Sequence, residues 1–360
     1  MKNHKSFNKN NIGKNAHSID DHKNFEKYTN NNSNYGIFPK TRLRRLRKNE
    51  AIRDLLQETR LSTKDLVVPL FVQEGIDHKI EIESMPGVFR FPLDSVIVEV
   101  KEIISLGIKA VILFGIPLKK DESGRSSFDQ KGIVQQTIGR IKDEFGDKLV
   151  IISDVCLCQY TSHGHCGVIK NNTIDNDSTL NTLSKVALSH AKAGADIVAP
   201  SAMMDGQVKI LRDTLDESNY QDTLIMGYSA KQASSFFSPF RDAAHSLPLF
   251  GDRRSYQMPF TNDREASREI ISDMEEGADI LMIKPAIPNL DLIRSARQNS
   301  FHPIAAYSVS GEYSMIKAAS LNNWINEESA ITELMTSIKR AGADIIISYH
   351  AKKMAEILKK

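Results

Sequence analysis

Three stretches of the chain repeat one phrase: Ala193-Gly-Ala-Asp-Ile-Val-Ala-Pro200, Glu276-Gly-Ala-Asp-Ile-Leu-Met-Ile-Lys284 and Ala341-Gly-Ala-Asp-Ile-Ile-Ile-Ser348. In each stretch a helical pattern ends at a glycine, which is typical of a helix C-terminus, and an apolar run follows at once. The apolar runs are continuous rather than alternating, as is typical of strands that are covered on both faces. Repeated steps from helix to buried strand predict a parallel sheet built from βα units.

Apolar, β-branched runs of this kind recur along most of the chain, at Val67–Val72, Ala110–Ile116, Leu149–Leu157, Ile197–Ala202, Leu224–Ala230, Ile280–Ala286, Ile304–Val309 and Ile345–Tyr349. Most intervals have the spacing of amphipathic helices, as at Val96–Leu106, Ile133–Phe145, Leu180–Ala193, Ala266–Met274, Leu290–Arg297 and Ile331–Arg340. Eight βα units predict an α/β fold, a TIM (β/α)8 barrel with an N-terminal arm. An open, doubly wound sheet is the alternative. It is disfavoured because no Gly-x-Gly-x-x-Gly or Walker loop follows any strand.

By composition, the chain of 360 residues falls into three parts. Residues 1–36 contain ten asparagines and six lysines with almost no apolar periodicity, which predicts a disordered extension. We expect the N-terminal arm over residues 37–60 and a catalytic barrel over residues 61–360. The arm contains the basic run Arg42-Leu-Arg-Arg-Leu-Arg-Lys48. It fits an RNA-binding arm, a subunit-contacting arm or the approach to a first helix, and the lack of interleaved aromatic residues disfavours RNA binding.

Composition also excludes several classes of protein. The formal net charge of +2 argues against a dedicated nucleic-acid partner, and 41% hydrophobic residues are ordinary for a soluble enzyme. No apolar run approaches the roughly 18–20 residues that span a bilayer, so we expect no membrane partner. The three cysteines are too few for a disulfide framework and lie within eleven residues. This clustering indicates a reducing compartment, the cytoplasm, and a local chemical role.

The cysteines follow the third predicted strand. Cys156 and Cys158 are two residues apart, so in an extended chain both side chains point the same way, and a short loop lets Cys166 return to them. Three thiolates suit a tetrahedral soft cation such as zinc, with the fourth position open to water or substrate. Two alternatives remain. His163 or His165 could complete a closed structural site, or the three cysteines could be buried without a metal.

Two lysines lie where apolar strands end. Lys231 follows Leu224–Ala230, and Lys284 closes Ile280-Leu-Met-Ile283 directly before a proline. Burial of an ammonium is costly, so the pKa of such a lysine falls and a neutral amine becomes available for Schiff-base chemistry. For either lysine alone, a salt-bridged structural role is the alternative. Two lysines on neighbouring strands of one barrel face indicate a site for carbonyl substrates.

The segment after the first lysine has the composition of an anion-binding lid. Arg241, Arg253 and Gln257 lie in a long interval of small and aromatic residues before the next helix. Arginine holds a carboxylate through its bidentate fork, and long βα loops at a barrel mouth often close over a substrate. Ser310 and Tyr349, at the ends of the last two strands, could bind a second anionic group through their hydroxyls. A solvated salt-bridge surface is the alternative for each arginine.

Together these motifs resemble one enzyme family, porphobilinogen synthase, also called delta-aminolevulinic acid dehydratase. The matching segments are Asp154–Gly167, Tyr228–Lys231, Pro239–Ala244, Gly251–Gln257, Met282–Ala286 and Val309–Glu312. The resemblance covers about residues 38–360 in the right order. It implies a TIM barrel with an N-terminal arm, a homo-octamer, and the asymmetric condensation of two 5-aminolevulinate molecules to porphobilinogen, an early step of tetrapyrrole and heme synthesis.

The resemblance also assigns roles to the two lysines and the anion-binding groups. Lys284 would form the Schiff base with the substrate that becomes the propionate side, and Lys231 with the acetate-side substrate. The two arginines and the glutamine named above would hold the acetate-side carboxylate. Ser310 and Tyr349 would hold the other carboxylate.

Metal and proton-transfer roles are implied in the same way. The three cysteines would bind a catalytic zinc, as in the zinc-dependent branch of the family; another branch has aspartates there. Asp154 would assist proton transfer, as would Asp205, and His165 would be a nearby or transient partner. Glu269 matches an allosteric magnesium ligand of bacterial members, whereas a glutamate on an amphipathic helix is otherwise a surface residue.

The chain departs from the family pattern at two places near these groups. Asn289 stands where the signature around the Schiff-base lysine usually ends in tyrosine, and Phe237-Ser238 replaces a usual Tyr-Gly. We expect both to lie beside the reacting groups and to affect lid packing and rate. The competing classes are a non-catalytic zinc-binding barrel and a class I aldolase with one lysine and no metal. Retention of both lysines and three thiols disfavours them.

Overall fold

The computed structural model describes residues 38–360, and the predicted extension over residues 1–36 lies outside this range. The chain divides into two compact units between Glu58 and Thr59. In the first unit, the basic run forms a 3-10 helix over Leu43–Arg47, and α1 (Glu50–Leu55) follows it; neither element has a buried side chain. The side chain of Asn49 caps α1 by accepting a hydrogen bond from the backbone N–H of Ile52 at 3.0 Å.

The second unit is a closed parallel barrel. In chain order its strands are β1 (Leu66–Gln73), β2 (Ile80–Glu81), β3 (Phe89–Phe91), β4 (Ala110–Ile116), β5 (Val150–Val155), β6 (Ile169–Lys170), β7 (Thr173–Ile174), β8 (Ile197–Pro200), β9 (Leu224–Lys231), β10 (Ile280–Lys284), β11 (Ile304–Ser308) and β12 (Ile345–Ser348). Eight of these pair in parallel in the order β1, β4, β5, β8, β9, β10, β11, β12, and β12 pairs back to β1. The predicted TIM barrel is confirmed, and closure excludes the open sheet.

Helices connect the barrel strands on the outside. They are α2 (Leu93–Ser105), α3 (Ile133–Phe145), α4 (Asn176–Ala193), α5 (Gln207–Glu217), α6 (Ser238–Ala243), α7 (Asp263–Glu275), α8 (Leu290–Asn299), α9 (Ser310–Leu321), α10 (Glu327–Ala341) and α11 (Ala351–Ile357). Short 3-10 turns lie at Thr63–Asp65, Arg125–Phe128, Gly146–Lys148, Ser235–Phe237 and Ile287–Asn289. Within residues 38–360, none of the helices combines the length and the apolar character needed to cross a bilayer.

Two hydrophobic clusters cover the two faces of the strands. In β1, Val67 and Phe71 belong to the cluster inside the barrel, whereas Leu66 and Val68 belong to the cluster beneath the helices. This alternation holds because successive side chains of a strand point to opposite faces of the sheet. Both faces are therefore apolar, which explains why the strands appear as continuous apolar runs in the sequence.

The repeated phrase has a structural role at the amino-terminal rim of the barrel. The glycine in each copy has a φ between 98° and 129°, a region that favours glycine, and it ends the preceding helix. The aspartate two residues later accepts a hydrogen bond from a backbone N–H of the first or second residue of the neighbouring strand. The pairs are Asp196 with Ile151 at 2.7 Å, Asp279 with Ile225 at 2.7 Å, and Asp344 with Ile304 at 2.8 Å. Each aspartate thus links two adjacent strands at this rim.

We predict that Asp279→Ala lowers the free energy of unfolding by about 1–3 kcal/mol, because the N–H of Ile225 loses a charged acceptor. Urea unfolding measures the change. Asp213→Ala is the control, since Asp213 forms only an exposed helical ion pair with Lys209 and should change stability by less than about 0.5 kcal/mol. Equal stabilities for the two variants would contradict the role given to Asp279.

Candidate active site

The two predicted lysines lie opposite each other on adjacent strands. Lys231 ends β9 and Lys284 ends β10, and they are register partners in the parallel ladder. Their exposed fractions are 5% and 6%, and with Asp154 and Cys158 they line one small cavity at the carboxyl ends of the strands. The cavity volume of about 20 Å³ has room for about one water molecule. A larger ligand therefore requires the cover of the cavity to move.

The cover is the segment of residues 232–262 between β9 and α7, which we call the lid. It contributes Phe237, Phe240 and Arg253 to the cavity wall. Long βα loops at the mouth of a TIM barrel commonly open and close over a substrate. The predicted anion-binding lid is thus placed directly over the two lysines.

The two amines have different surroundings. Burial, with a further contribution from the charge of Lys231, lowers the pKa of Lys284 to about 7. A substantial fraction of Lys284 is therefore a neutral, nucleophilic amine near neutral pH. The Nζ of Lys231 instead donates a hydrogen bond to the backbone carbonyl of Ser201.

Asp154 is the acidic group of the cavity. It lies at the end of β5 with an exposed fraction of 6%. Burial raises the pKa of its carboxyl group, although the nearby charge of Lys231 acts in the opposite direction. One oxygen accepts a hydrogen bond from Gln159 at 3.3 Å, and the other, Oδ1, is buried without a partner in the described structure. This oxygen is free to exchange a proton with a ligand.

The three cysteines come together beside the cavity. All are buried, and their Sγ atoms lie within 4.8 Å of one another, with Cys156 and Cys158 at 3.6 Å. Hydrogen bonds from the other two thiols, and the charge of Arg253, hold the pKa of Cys166 well below its usual range. An all-sulfur set of three buried ligands that includes a thiolate can hold a soft metal ion.

Neither neighbouring histidine joins this sulfur cluster within residues 38–360. The ring of His165 contacts the lid instead, with Nδ1 3.1 Å from the hydroxyl of Tyr256 and Nε2 3.0 Å from the carbonyl oxygen of Phe250. Nδ1 of His163 accepts a hydrogen bond from the backbone N–H of His165. The described structure therefore favours three protein ligands over the closed site with a histidine ligand.

Arg253 ties the cysteine loop to the lid. Its guanidinium is buried and donates to the carbonyl oxygens of Gly164 and Ser246 at 2.9 and 2.6 Å. Gly164 has a φ of 72°, and a Cβ there would lie 2.2 Å from the carbonyl oxygen of Leu247. The cysteine loop and the lid thus approach so closely that only glycine fits at this position.

The predicted carboxylate clamp contains several polar atoms that lack partners. The Nε atoms of Arg241 and Arg253 and both amide atoms of Gln257 are buried without a hydrogen bond in the described structure. Buried polar groups are almost always paired, and unpaired ones are costly. A carboxylate could accept from both guanidinium groups and from the amide N–H. These atoms therefore fit an anionic ligand.

The second predicted anion-binding pair is engaged within the protein. The hydroxyl of Ser310 accepts from the N–H of Phe240 at 3.0 Å and donates to the carbonyl of Phe236 at 3.1 Å. The hydroxyl of Tyr349 lies 3.0 Å from that of Tyr307. Ser310, at the start of α9, thus holds the lid in place. A ligand that binds Ser310 and Tyr349 would have to replace these hydrogen bonds.

Asp205 and Glu269 lie away from the lysines. Both line a cavity of about 730 Å³ between the lid and α7, together with Asp273 and Glu276. Burial, followed by the charge of Asp205, raises the pKa of Glu269. Asp273 is 7% exposed, and its Oδ2 is buried without a partner in the described structure. This acidic cavity suits a cation, and the proton-transfer role of Asp205 stays a prediction.

The two departures from the family pattern, Phe237 and Asn289, lie close to Lys284 and to the turn that follows it. We expected Phe237 beside the reacting groups, and its ring lies 5.3 Å from Nζ of Lys284. The other departure, Asn289, is buried and donates to the carbonyl of Pro285 at 2.8 Å, so it braces the turn that follows Lys284. The substitution at Phe237 therefore affects the reacting amine directly, whereas Asn289 acts through the backbone.

Three buried side chains in the site were missed by the sequence analysis. Tyr228 and Tyr307 lie inside the barrel against the lysines, and the hydroxyl of Tyr228 is buried without a partner in the described structure. Glu312 accepts from the N–H groups of Ile287 and Val309 at 2.9 and 3.0 Å, and burial raises its pKa to about 7. It joins the ends of β10 and β11. Both tyrosines lie three residues before a predicted site residue, Lys231 or Ser310, and this spacing is the signal that could have found them.

We predict that Gly164→Ala displaces the lid from the cysteine loop, because the new Cβ would overlap the carbonyl of Leu247. The free energy of unfolding should fall by about 1–3 kcal/mol, the usual cost of strained backbone. Thermal or urea unfolding measures it. The control is Gly139→Ala in α3, where a Cβ meets nothing within 4 Å and stability should stay equal or rise. A Gly164 variant as stable as the Gly139 variant would contradict the close approach.

Comparison with known proteins places these features in a family. The family model described as delta-aminolevulinic acid dehydratase matches residues 40–357. The delta-aminolevulinic acid dehydratase of Archaeoglobus fulgidus is 58% identical over 321 residues, covering 89% of this chain and 99% of that protein. The Bacillus subtilis protein of the same name is 50% identical over 317 residues, with coverages of 88% and 98%.

A solved structure also matches the fold. It is that of delta-aminolevulinic acid dehydratase (porphobilinogen synthase) from Toxoplasma gondii ME49, in complex with the reaction product porphobilinogen. The TM-score is 0.87 at 42% sequence identity, with 91% of this chain and 94% of that chain covered. On the matches of sequence, family model and fold, this chain belongs to the delta-aminolevulinic acid dehydratase family.

Proposed function

We propose that the protein condenses two molecules of 5-aminolevulinate to porphobilinogen through Schiff bases on Lys231 and Lys284, with a metal ion held by the three cysteines. The observation that carries this proposal is the pairing of the two lysines across β9 and β10 in one buried cavity. Two amines within one cavity suit a reaction that joins two ketone substrates.

As a member of its family, the enzyme is a 5-aminolevulinate dehydratase, a hydro-lyase of porphyrin and tetrapyrrole biosynthesis. Family membership excludes the two competing classes, a non-catalytic zinc-binding barrel and a class I aldolase. The small-molecule substrate agrees with the porphobilinogen bound to the Toxoplasma gondii relative.

The chemistry begins at the amines. Neutral Lys284 attacks the ketone carbon of one substrate, the carbonyl oxygen leaves as water, and the resulting iminium withdraws electrons from the neighbouring carbon. Lys231 reacts with the other substrate in the same way. Asp154, whose Oδ1 has no other partner in the described structure, holds and returns the protons. By family resemblance, Lys284 takes the propionate-side substrate and Lys231 the acetate-side substrate.

The two carboxylates fix the orientation of the substrates. Arg241, Arg253 and Gln257 hold the acetate-side carboxylate, a role supported by their unpaired buried atoms. Ser310 and Tyr349 hold the other carboxylate by neutral hydrogen bonds. Since Ser310 also anchors the lid, binding of the propionate-side substrate is coupled to lid position.

Zinc is the metal that we assign to Cys156, Cys158 and Cys166. The donor set supports it, because three sulfur ligands select a soft cation and leave a position for a ligand. When bound, zinc supplies Lewis-acid polarisation of a substrate carbonyl or amine. Arg253, through its charge, favours the thiolate form that the metal requires.

Magnesium is assigned to the acidic cavity at Glu269 as an allosteric ion. The carboxylates of Asp205, Asp273 and Glu276 in the same cavity support an oxygen-preferring cation there. Residues of both the lid and α7 line this cavity, and the lid also covers the active site. The lid therefore offers a physical link between the two.

The assembly and location are also proposals. We assign the chain to a homo-octamer in the cytoplasm, with the arm over residues 37–60 as a subunit contact and residues 61–360 as the catalytic barrel. The exposed leucines of the arm, Leu43, Leu46 and Leu55, support a contact role for it. The extension over residues 1–36 is proposed to be dispensable for catalysis.

We predict that Lys284→Ala reduces porphobilinogen formation by at least about 10²–10⁴-fold, the effect of losing a positioned catalytic group. Borohydride reduction with 5-aminolevulinate should trap an adduct on Lys284, and under some conditions on Lys231, located by peptide mass. The extent of trapping should rise as pH increases through about 7, because Lys284 loses its proton over that range.

The control is Lys209→Ala, since Lys209 is exposed on α5 and pairs with Asp213. This variant should form porphobilinogen at the normal rate. If borohydride traps an adduct on neither Lys231 nor Lys284, the Schiff-base mechanism is refuted. Near-normal turnover of the Lys284→Ala variant would refute it as well.

We predict that the purified, reduced protein binds roughly one zinc ion per chain at the cysteine cluster and that Cys158→Ala loses most of it. Elemental analysis gives the metal content, and a pyrrole reagent gives the activity before and after chelation. Ser162 is an exposed residue of the same loop, so the Ser162→Ala variant should keep both the zinc content and the activity. Full activity of the metal-free protein would exclude the catalytic zinc.

A further inference from the structure

Four aromatic rings surround the amine of Lys284. Its Nζ lies over the ring of Tyr307 at 4.0 Å from the centroid, and over the rings of Tyr228, Phe240 and Phe237 at 5.2, 5.2 and 5.3 Å. A cation within about 6 Å of a ring centroid is attracted to the negative π face. We call these four rings the aromatic box.

The amine of Lys231 does not share this environment. Its Nζ donates to the carbonyl of Ser201 and lies over the ring of Tyr228 at 5.4 Å. By contrast, within residues 38–360 the Nζ of Lys284 forms neither an ion pair nor a hydrogen bond. The rings therefore lie close to any charge that develops on Lys284, with the carboxyl group of Asp154 in the same cavity.

The aromatic box is assembled from the barrel and the lid. Tyr228 and Tyr307 lie on β9 and β11 and are fully buried. Phe237 and Phe240 belong to the lid, which Ser310 holds through the N–H of Phe240 at 3.0 Å. Half of the box is thus present only while the lid is seated.

The charge requirement at this nitrogen changes during the reaction. Attack requires a neutral amine, and burial favours it by penalising the ammonium. The amine, the ketone and one proton then give an iminium and water, so a positive charge appears where charge was disfavoured. An ionised carboxylate in contact with Lys284 would stabilise that charge but would also retain the ammonium. Aromatic rings attract both cations, but the ammonium has three N–H groups to desolvate and the iminium has one, so a buried aromatic site shifts the balance towards the iminium.

We propose that the aromatic box stabilises the cationic Schiff base on Lys284 and that Phe237 and Phe240 restrict this stabilisation to the closed lid. Phe240 is thereby a catalytic residue, since its ring lies over the reacting nitrogen. Phe237, where the family usually has tyrosine, keeps the ring that the box needs. The inference rests on the proposed function, because it presupposes a Schiff base on Lys284.

The test replaces Phe240 with phenylalanine analogues that carry one, two or three ring fluorines, and with cyclohexylalanine. Fluorine withdraws the π charge with little change of size, and cyclohexylalanine keeps the bulk without a π face. The full-length, metal-loaded protein is incubated with 5-aminolevulinate, and the Lys284 adduct trapped by borohydride is measured beside porphobilinogen formation. The matched control puts the same analogues at Phe260, which is exposed on the lid.

We expect trapping at Lys284 to fall with each fluorine, to roughly one tenth with three, and lowest with cyclohexylalanine. The Phe260 series should stay constant. A flat Phe240 series in an enzyme that still forms porphobilinogen would overturn the role of the box and leave the proposed function intact. An unsubstituted enzyme that forms neither adduct nor porphobilinogen would overturn the proposed function itself. Circular dichroism of each variant shows whether the fold is kept. A folded Phe236→Leu protein with normal trapping would show that only the rings over Lys284 affect the yield of the trapped adduct.

Discussion

The pairing of β12 with β1 is the contact on which the rest of the structure depends. It closes the sheet, and a closed parallel barrel brings all its carboxyl ends to one mouth. The functional groups at the ends of β5, β9, β10, β11 and β12 therefore converge, although the chain separates them widely. At the opposite rim, the three repeated aspartates bond to neighbouring strands, and a register shift between Leu281 and Ile283 then brings Lys231 opposite Lys284.

Burial gives the converged groups their reactivity. Without water to solvate it, the amine of Lys284 loses its proton more easily, and the carboxyl of Asp154 holds its proton more firmly. Cys166, whose pKa is lowered by hydrogen bonds from the other two thiols and then by the charge of Arg253, adds a thiolate near the two amines. Each group shifts the ionisation of its neighbours, and such mutual shifts are characteristic of active sites.

The lid connects these groups mechanically as well as electrostatically. Arg253 bonds it to the cysteine loop, and Ser310 bonds it to the start of α9. With both contacts made, the cavity is nearly closed, so a substrate can enter only when the lid moves. Glu312 completes the support by bracing the turn after Lys284 against the end of β11.

Local sequence determined much of this protein. Apolar runs and helical spacing specify βα units because the period of the apolar residues reflects which faces are buried. The count of eight such units predicted the barrel. Lys231, Lys284 and the cysteine pair were predictable because a polar or reactive side chain at the end of a buried strand has a cost that only function or pairing explains. The arrangement of motifs also identified the family before any coordinates.

Distances across the barrel were decided only by tertiary structure. Tyr307 and Phe240 are far from Lys284 in the chain, and nothing in their local pattern distinguishes a core ring from one that faces an amine. Likewise, only the fold shows that Asp205 shares an acidic cavity with Glu269. The physical reason is that the spacing of apolar residues along the sequence shows only whether a side chain faces inward. Which inward-facing groups meet depends on strand register, barrel closure and the position of the lid.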